Sequence, residues 1–243
     1  MRRFGLLGYP LSHSFSQQYF MDKFAALGLT DHVYENFSLP SIEEFAHVLE
    51  TKTDLCGFNI TIPYKKQVLA FLDDATEVVK AIGACNCVQI KNGKRTGYNT
   101  DVVGFEKSLL PFLKPQHTGA LILGTGGASA AVEYVLQKRG ITVQYVSRQA
   151  GDGSVAYSDI DAEIIATHQL IINCTPLGMY PKVDDCPELP YEFLTPQHHL
   201  YDLIYNPVET KFLAKGKERG ASTQNGQEML IMQAEESWRI WNS

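Results

Sequence analysis

A buried strand, a glycine-rich turn and a helix follow one another near the middle of the chain, and this order constrains the fold more than any other feature. Ala120–Leu123 is a continuous apolar run, Gly124–Ser129 is rich in glycine, and helical spacing then continues to Arg139, where Gly140 can end the helix. The first glycine of such a turn permits a tight bend, and the second lets backbone amides approach a pyrophosphate at the helix N-terminus. The pattern predicts a dinucleotide-binding unit, although Ser129 replaces the third glycine of the usual motif.

The end of the next strand bears on which dinucleotide is bound. NAD sites usually carry Asp or Glu there, and that carboxylate binds the ribose 2′-hydroxyl. This chain has Ser147 and Arg148 at that place. A guanidinium presents a planar fork that suits a 2′-phosphate, so the sequence favours NADP over NAD. The alternative is that Arg148 is an ordinary surface arginine that follows a strand.

Strands and helices alternate along most of the chain, which predicts an α/β protein with mostly parallel sheets. The expected strands are at 4–8, 33–37, 57–62, 87–90, 120–123, 142–146, 170–173 and 200–204. Helices are expected to start near Ser12, Ser41 and Lys65, and the segment 228–241 has helical spacing.

A chain of 243 residues is long enough for two domains of this kind. The best candidate boundary is the link at 104–118, where Pro111 and Pro115 interrupt the pattern. We expect a substrate-binding and catalytic domain of residues 1–103 plus a returning C-terminal helix at 222–243. Residues 104–221 are expected to form a Rossmann-like nucleotide domain, and ligands of such folds bind in a cleft.

Charge and composition exclude several classes of protein. The net charge of −6 argues against a general binder of nucleic acid or anionic membranes. No apolar run reaches the length of about 18 residues that a membrane span needs, so we expect a cytoplasmic protein. The spacing Cys85-x-Cys87 is not that of a zinc or redox motif, and no metal is expected.

Polar residues recur through the first 101 positions. They provide hydroxyl and amide groups, one ammonium and one carboxylate, which is the chemistry needed to hold a polyhydroxylated acid. The set consists of Ser14, Ser16, Asn59, Thr61, Lys65, Asn86, Asn99, Thr100 and Asp101.

These motifs, in this order over nearly the whole chain, resemble the shikimate dehydrogenase family. The resemblance rests on Gly8-x-Pro10-x-x-His13-Ser14-x-Ser16, Asn59-x-Thr61-x-Pro63-x-Lys65, Gly83-Ala84-x-Asn86, Asn99-Thr100-Asp101-x-x-Gly104, the glycine loop, Ile172-Asn173-x-Thr175, Tyr201-Asp202-x-x-Tyr205 and Asn225-Gly226-x-x-Met229-Leu230-x-x-Gln233.

The resemblance implies reversible, NADP-dependent reduction of 3-dehydroshikimate to shikimate, with Lys65 and Asp101 as the catalytic pair. It also implies two sets of binding residues. Shikimate would be bound by Ser14, Ser16, Thr61, Asn86, Asp101, Tyr205 and Gln233. The cofactor would be bound by Gly124, Thr125, Gly126, Gly127, Ala128, Ser147, Arg148, Leu203 and Gly226.

Elementary chemistry is consistent with those roles. Reduction of a ketone by hydride leaves an alkoxide, so a proton donor must reach that oxygen. Lys65 can donate the proton in reduction and accept it in oxidation, while Asp101 can orient the ammonium. Two hydroxyls such as those of Ser14 and Ser16 can bind the two oxygens of a substrate carboxylate.

The chain departs from the family pattern at Gln17, where Pro is usual, at Cys87, where Thr is usual, and in the loop Ser147–Asp152, where only the arginine persists. Two alternatives therefore stay open. One is a quinate or shikimate-type dehydrogenase that uses NAD, and the other is a non-catalytic nucleotide-binding regulator. In each case the partners are small molecules, and a monomer or a homodimer is expected.

Overall fold

The computed structural model describes residues 1–11, 15–151 and 153–243. The chain divides into two compact units, of which one contains residues 1–100 and 234–243 and the other residues 101–233. Each unit has its own six-stranded sheet with helices, so the expected α/β class is confirmed. The assignment of residues 1–103 with 222–243 and of residues 104–221 to separate functional domains stays a prediction.

The first unit is built on a mixed sheet with the strand order β2-β1-β3-β5-β6-β4. Its strands are β1 (Arg2–Gly8), β2 (His32–Ser38), β3 (Leu55–Ile60), β4 (Asp74–Ala75), β5 (Cys87–Lys91) and β6 (Lys94–Tyr98). Its helices are α1 (Phe15–Ala26), α2 (Phe45–Thr51), α3 (Glu77–Ile82), the first residue of α4 (Thr100–Leu109) and the end of α8 (Gln227–Trp241).

The sheet of the first unit is less parallel than the sequence predicts. β1 runs parallel to β2 and β3, but β5 is antiparallel to both β3 and β6. The pairing of β5 with β6 follows from the hairpin at Asn92-Gly93, where both residues have positive φ, of 53° and 75°. A two-residue turn of this kind joins antiparallel strands directly.

An aromatic cluster holds the end of α8 in the first unit. Phe4, on β1, stacks on Trp241 with ring centroids 4.8 Å apart, and Trp238 meets Phe4 edge-on at 5.9 Å. A Cβ atom on Gly57 would lie 2.4 Å from the Trp241 ring, so β3 needs a glycine at this contact. The expected returning C-terminal helix therefore has a specific packing site in this unit.

The helix expected from Lys65 onward is wrong. Residues 62–66 form turns and Gln67–Phe71 is a short 3₁₀ helix. The Lys65 carbonyl accepts a hydrogen bond of 2.8 Å from the Cys85 N–H, while the Leu69 N–H bonds to Lys66 instead. An α-helix needs the Lys65 carbonyl for residue 69, so the cross-chain bond prevents one from forming.

The second unit is built on a fully parallel sheet with the order β12-β11-β10-β7-β8-β9. Its strands are β7 (Gly119–Leu123), β8 (Thr142–Ser147), β9 (Ser154–Ala156), β10 (Leu170–Asn173), β11 (His199–Asp202) and β12 (Ser222–Gln224). Its helices are most of α4, α5 (Ser129–Lys138), α6 (Ala162–Thr167), α7 (Lys211–Glu218) and the start of α8.

Strand β7 places the glycine loop at the point of the sheet where ligands of such folds bind. All five of its residues are buried, as expected for the central strand of a parallel sheet that is covered on both faces. It lies between β8 and β10. The strand order thus reverses beside β7, and ligands of open α/β sheets bind at the carboxyl ends of strands at such a point.

None of the helices in the described ranges combines the length and the apolar character needed to cross a bilayer.

Candidate active site and nucleotide cavity

A cavity of about 400 Å³ lies within the second unit at the carboxyl ends of its central strands. The residues that line it come from the glycine loop, from the end of β8, and from the segments after β9 and β10. They are Gly124, Thr125, Gly126, Ser147, Arg148, Tyr157, Cys174, Thr175, Pro176 and Leu177.

The glycine loop leaves room for a ligand where its backbone turns. Gly124 has φ of +92°, and a Cβ there would lie 2.7 Å from the Thr175 methyl carbon. At Gly126, by contrast, the nearest atom to an added Cβ is 3.8 Å away, so the space beside it is open. The Ser129 hydroxyl donates a 2.6 Å hydrogen bond to the Gly126 carbonyl, so the residue that replaces the third glycine ties the loop to α5.

The start of α5 suits a phosphate group. Ala128 precedes the helix and offers no side chain to cap it. The first N–H groups of a helix have no partner within the helix and carry a partial positive charge, which favours an anion. Together with the open side of Gly126, this geometry fits the pyrophosphate of a dinucleotide. Thr125 and Gly127 are exposed beside it.

Ser147 and Arg148 lie at the rim of the same cavity. The Ser147 hydroxyl bonds to the Ser154 hydroxyl at 2.9 Å and to the Gln149 carbonyl, while Arg148 is exposed. The role expected for Arg148, binding of a second phosphate, stays a prediction. Asp152 lies outside the described residues.

Leu203 and Gly226 contact each other, although neither is among the described residues that line the cavity. A Cβ on Gly226 would be 2.1 Å from the Leu203 carbonyl oxygen, and the Gly226 N–H donates to Ile204 at 3.0 Å. The Leu203 N–H in turn donates to the Asn173 carbonyl at 3.0 Å. The segments after β10 and β11 are therefore joined by backbone contacts.

Asp202 is a buried carboxylate that drew attention in the sequence only as part of the motif Tyr201-Asp202-x-x-Tyr205. It is fully buried at the end of β11, and it accepts hydrogen bonds from Asn173, Ile204 and Thr210. Burial raises the pKa of Asp202 to about 6, and the three hydrogen bonds act in the opposite direction. The register of β10 and β11 pairs Asn173 with Asp202, and this pairing creates the network of hydrogen bonds around the carboxylate.

In the first unit, the strand ends bring Thr61, Lys65 and Asn86 to one edge of the sheet. The Thr61 N–H donates to Leu7 at 2.9 Å, and the Asn86 carbonyl accepts from Ile60 at 2.9 Å. The bond from Cys85 to the Lys65 carbonyl fixes the turn that carries the half-buried ammonium side chain. This half of the predicted site therefore has a defined geometry.

Ser16 is half-buried in the first turn of α1, and Ser14 lies outside the described residues. Burial raises the pKa of the Tyr34 phenol, and a hydrogen bond with the Ser16 side chain acts in the opposite direction. Tyr34 itself donates to Asn59 at 3.0 Å. Ser16 therefore adjoins a buried network of polar groups.

That network continues to the start of α4. The Asn59 amide donates to Ser237 at 2.8 Å, and Ser237 bonds to the Thr100 hydroxyl at 3.3 Å. The Thr100 N–H donates to the Asn86 side chain at 2.6 Å, and the Asn86 amide donates back to Thr100 at 3.0 Å. All these residues are buried, so their bonds fix the side chains in one arrangement. The sequence predicted Asn86 but not Ser237.

Three predicted substrate residues belong to the second unit. Asp101 is buried in the first turn of α4 and directly follows Thr100. Gln233 is buried on α8, where its amide donates to Leu230 at 2.9 Å, whereas Tyr205 is 39% exposed after β11. In the parts of the chain that are described, no group of three or more His, Cys, Asp or Glu residues could hold a metal ion.

Comparison with known proteins agrees with this geometry. A family model described as the shikimate dehydrogenase substrate binding domain matches residues 6–88. A shikimate dehydrogenase (NADP(+)) from Methanococcus vannielii is 35% identical to this chain and covers 98% of it and 90% of its own length. The chain belongs to the shikimate dehydrogenase family.

Solved structures of the family share the complete fold. The shikimate 5-dehydrogenase from Thermus thermophilus, in complex with NADP(H) and shikimate, has a TM-score of 0.87 and 31% identity, covering 99% of this chain and 93% of its own. Quinate dehydrogenase from Corynebacterium glutamicum, in complex with NAD, also has a TM-score of 0.87, with 27% identity and the same coverage.

Proposed function

We propose that this protein catalyses the reversible, NADP-dependent reduction of 3-dehydroshikimate to shikimate. The observation that carries the proposal is its similarity, over nearly the full chain, to enzymes named for that activity. A cavity with a glycine loop and an arginine at its rim supports NADP as the cofactor. A bound nicotinamide would supply the hydride, and the protein has to supply alignment and a proton.

Lys65 and Asp101 are the proposed catalytic pair. In the direction of reduction, the Lys65 ammonium gives its proton to the oxygen that becomes an alkoxide, and in oxidation the neutral amine takes it back. Asp101 accepts a hydrogen bond from a substrate hydroxyl and orients the ammonium. Two hydrogen bonds support these roles because they fix the backbone that carries each side chain. The Lys65 carbonyl accepts from the Cys85 N–H, and the N–H of Thr100, the residue before Asp101, donates to Asn86.

The remaining proposed contacts divide by chemistry. Hydroxyl and amide groups would bind the substrate carboxylate and ring hydroxyls, with Ser14, Ser16, Thr61, Asn86, Tyr205 and Gln233 as the candidates. The glycine loop from Gly124 to Ala128 would bind the pyrophosphate, with Ser147 and Arg148 at the 2′-phosphate and Leu203 and Gly226 as further candidate contacts of the cofactor. A monomer or homodimer and a cytoplasmic location remain predictions.

Quinate oxidation with NAD is the second candidate. It is supported by the similarity to a quinate dehydrogenase that was solved with NAD. The additional C1 hydroxyl of quinate needs space beside its carboxylate, whereas two serine hydroxyls at positions 14 and 16 suit shikimate. The cofactor is a separate question. The loop after β8 lacks a second basic residue near Arg148, and this departure from the family pattern keeps NAD open as the cofactor.

A panel of four reactions separates the candidates. Purified protein is given shikimate or quinate with NADP⁺ or NAD⁺, and formation of reduced nicotinamide is followed by absorbance. We expect shikimate with NADP⁺ to give the highest kcat/KM. A preference for quinate with NAD⁺ would support the second candidate, and binding of NADPH without turnover of either acid would indicate a regulator.

A further inference from the structure

We propose that Asp202 is a positioning residue for cofactor binding, acting through Asn173 and Thr175 on the wall of the nucleotide cavity. The inference rests on the proposed NADP-dependent function. The Asp202 carboxylate has no exposed surface and lies at the carboxyl end of β11. No cation contributes to its electrostatic environment among the described residues. A buried charge without a counter-charge is costly, so its hydrogen bonds must hold it.

The first step is the orientation of the Asn173 side chain. The Asn173 amide nitrogen donates to Asp202 Oδ1 at 3.0 Å. Because a carboxylate can only accept, the amide nitrogen must face it and the amide oxygen must face away. That oxygen accepts two hydrogen bonds from Thr175, from its N–H at 3.0 Å and from its hydroxyl at 2.6 Å.

The second step connects Thr175 to the cavity. Its hydroxyl oxygen accepts the Leu177 N–H at 3.2 Å, so the segment from 174 to 177 is folded around this side chain. Its methyl group packs against Gly124, where an added Cβ would be 2.7 Å away. The cavity is lined by all four residues of this segment, Cys174, Thr175, Pro176 and Leu177. The orientation of Asn173 is thus transmitted to one wall of the cofactor site.

The third step is the choice of a carboxylate. Asp202 receives three donors at once, because Ile204 N–H also bonds to Oδ1 at 3.0 Å and the Thr210 hydroxyl bonds to Oδ2 at 2.6 Å. An amide of the same size would present its own N–H₂ group to one of these donors. A purely apolar side chain would leave the Asn173 amide nitrogen with only the Leu177 carbonyl, 3.4 Å away, as an acceptor, and would weaken the orientation that holds Thr175.

The experiment measures binding of NADPH and turnover separately. NADPH fluorescence is titrated with wild type, Asp202→Ala and the control Thr210→Val, and unfolding by urea gives the stability of each. Thr210 bonds to the same carboxylate and caps α7 through the Leu213 N–H, but it makes no bond to Asn173 or Thr175. Asp202→Ala should raise the Kd for NADPH about tenfold or more, whereas Thr210→Val should lower stability with Kd within about twofold.

Steady-state kinetics provide the second readout. Asp202→Ala should raise the KM for NADP⁺ about tenfold, while the KM for shikimate and kcat stay within about threefold. If Asp202→Ala does not fold, Thr175→Val, which removes the hydroxyl from the same chain of bonds, should raise the Kd for NADPH about fivefold. Asp202→Asn should lie between wild type and alanine, since its carbonyl can still accept from Asn173.

Two results would overturn the inference. One is an unchanged Kd for NADPH in folded Asp202→Ala, or in folded Thr175→Val where the alanine variant does not fold. The other is an equal rise in Kd in Thr210→Val. Failure of the proposed function looks different, because wild type would then bind NADPH but reduce no NADP⁺ with shikimate. Absence of NADPH binding by wild type would refute both.

Discussion

The side-chain amide of Asn59 on β3 donates a 2.8 Å hydrogen bond to the hydroxyl of Ser237 on α8, 178 residues later in the chain. Both residues are buried, and Ser237 also bonds to Thr100, which holds Asn86. The bond therefore links the end of the chain to the edge of the sheet where Thr61, Lys65 and Asn86 lie. Asn86, a predicted substrate residue, is thus fixed by a network whose members lie far apart in the sequence.

Ser237→Ala should weaken both folding and substrate binding. It removes the 2.8 Å hydrogen bond from the buried Asn59 amide, which keeps only the Asn86 carbonyl at 3.3 Å as an acceptor. The loss of one such bond costs about 0.5–1.5 kcal/mol in the free energy of unfolding. The KM for shikimate should rise several-fold and the KM for NADP⁺ should stay unchanged, because the network contains Asn86 and adjoins Ser16, which are both predicted substrate residues. Urea unfolding and initial rates test this, with the exposed Ser158→Ala as the control. Equal KM values for shikimate in wild type and Ser237→Ala would contradict the positioning role.

Gly126→Ala should impair cofactor binding without impairing folding. The space around an added Cβ is open, and Gly126 does not have a positive φ, so stability should be unchanged within about 1 kcal/mol. The methyl group would occupy the space where a pyrophosphate approaches the backbone, so the KM for NADP⁺ should rise about tenfold or more.

Gly124→Ala provides the contrast to that variant. It combines φ of +92° with a 2.7 Å contact to Thr175, so it should lower the free energy of unfolding by 1 kcal/mol or more, as a rough estimate. Urea unfolding and the KM for NADP⁺ are measured for both variants. An unchanged KM for NADP⁺ in Gly126→Ala would contradict the predicted approach of the pyrophosphate to Gly126.

Arg148→Ala should reduce discrimination between the two cofactors. If the guanidinium binds the 2′-phosphate, its loss should raise the KM for NADP⁺ about 10–100-fold and leave the KM for NAD⁺ nearly unchanged. Arg139→Ala is a suitable control, because Arg139 is bonded to Glu106 on α4. Parallel changes in both KM values would identify Arg148 as a general contributor to the site rather than the 2′-phosphate ligand.

Protonation of His199 should destabilise the protein in acid. Burial lowers the pKa of this fully buried imidazole from 6.5 to about 4. The unfolded chain therefore binds a proton that the folded state does not, so stability is complete above pH 6.5 and is lost as the pH falls toward 4. The full effect is about 3 kcal/mol.

The raised pKa of Asp202 has the opposite effect on stability, because the folded state binds the extra proton between pH 3.8 and 6. A variant is therefore needed to isolate the contribution of His199 to the acid loss of stability. His199→Phe keeps the stacking on Phe112, whose ring centroid is 4.9 Å away. Urea unfolding at several pH values between 6.5 and 4.5 should show a weaker acid loss in His199→Phe than in wild type. If stability falls equally with pH in wild type and His199→Phe, the pKa of this imidazole is not lowered in the folded state, which would contradict the prediction.

Local patterns in the sequence were sufficient to predict most of the fold. The strand at 120–123, the glycine loop and the helix that ends before Gly140 follow from hydrophobicity and turn chemistry, and each is confirmed. The helix at Lys65 failed because a distant N–H, from Cys85, takes the carbonyl that the helix needs. The three-residue strands β9 and β12 are too short to give any periodicity.

The site shows the same division between local and long-range information. The glycine loop and Arg148 could be proposed as cofactor-binding residues from the sequence because their chemistry is contiguous in the chain. Ser237 and the bonding network of Asp202 could not be predicted, because a serine within a helix and an aspartate at the end of a strand acquire these bonds only from partners in other elements. Strand register and helix packing decide those partners, and single-sequence patterns do not encode them.

The most direct test of the proposed reaction compares shikimate-dependent formation of NADPH by wild type, Lys65→Ala and Lys66→Ala at saturating substrate and cofactor. Lys66 is the exposed neighbour of Lys65 and serves as the matched control. If Lys65 transfers the proton, Lys65→Ala should lower kcat about 10²–10⁴-fold, with Lys66→Ala equal to wild type. A kcat for Lys65→Ala within a few-fold of wild type, or no NADPH formation by wild type, would contradict the account.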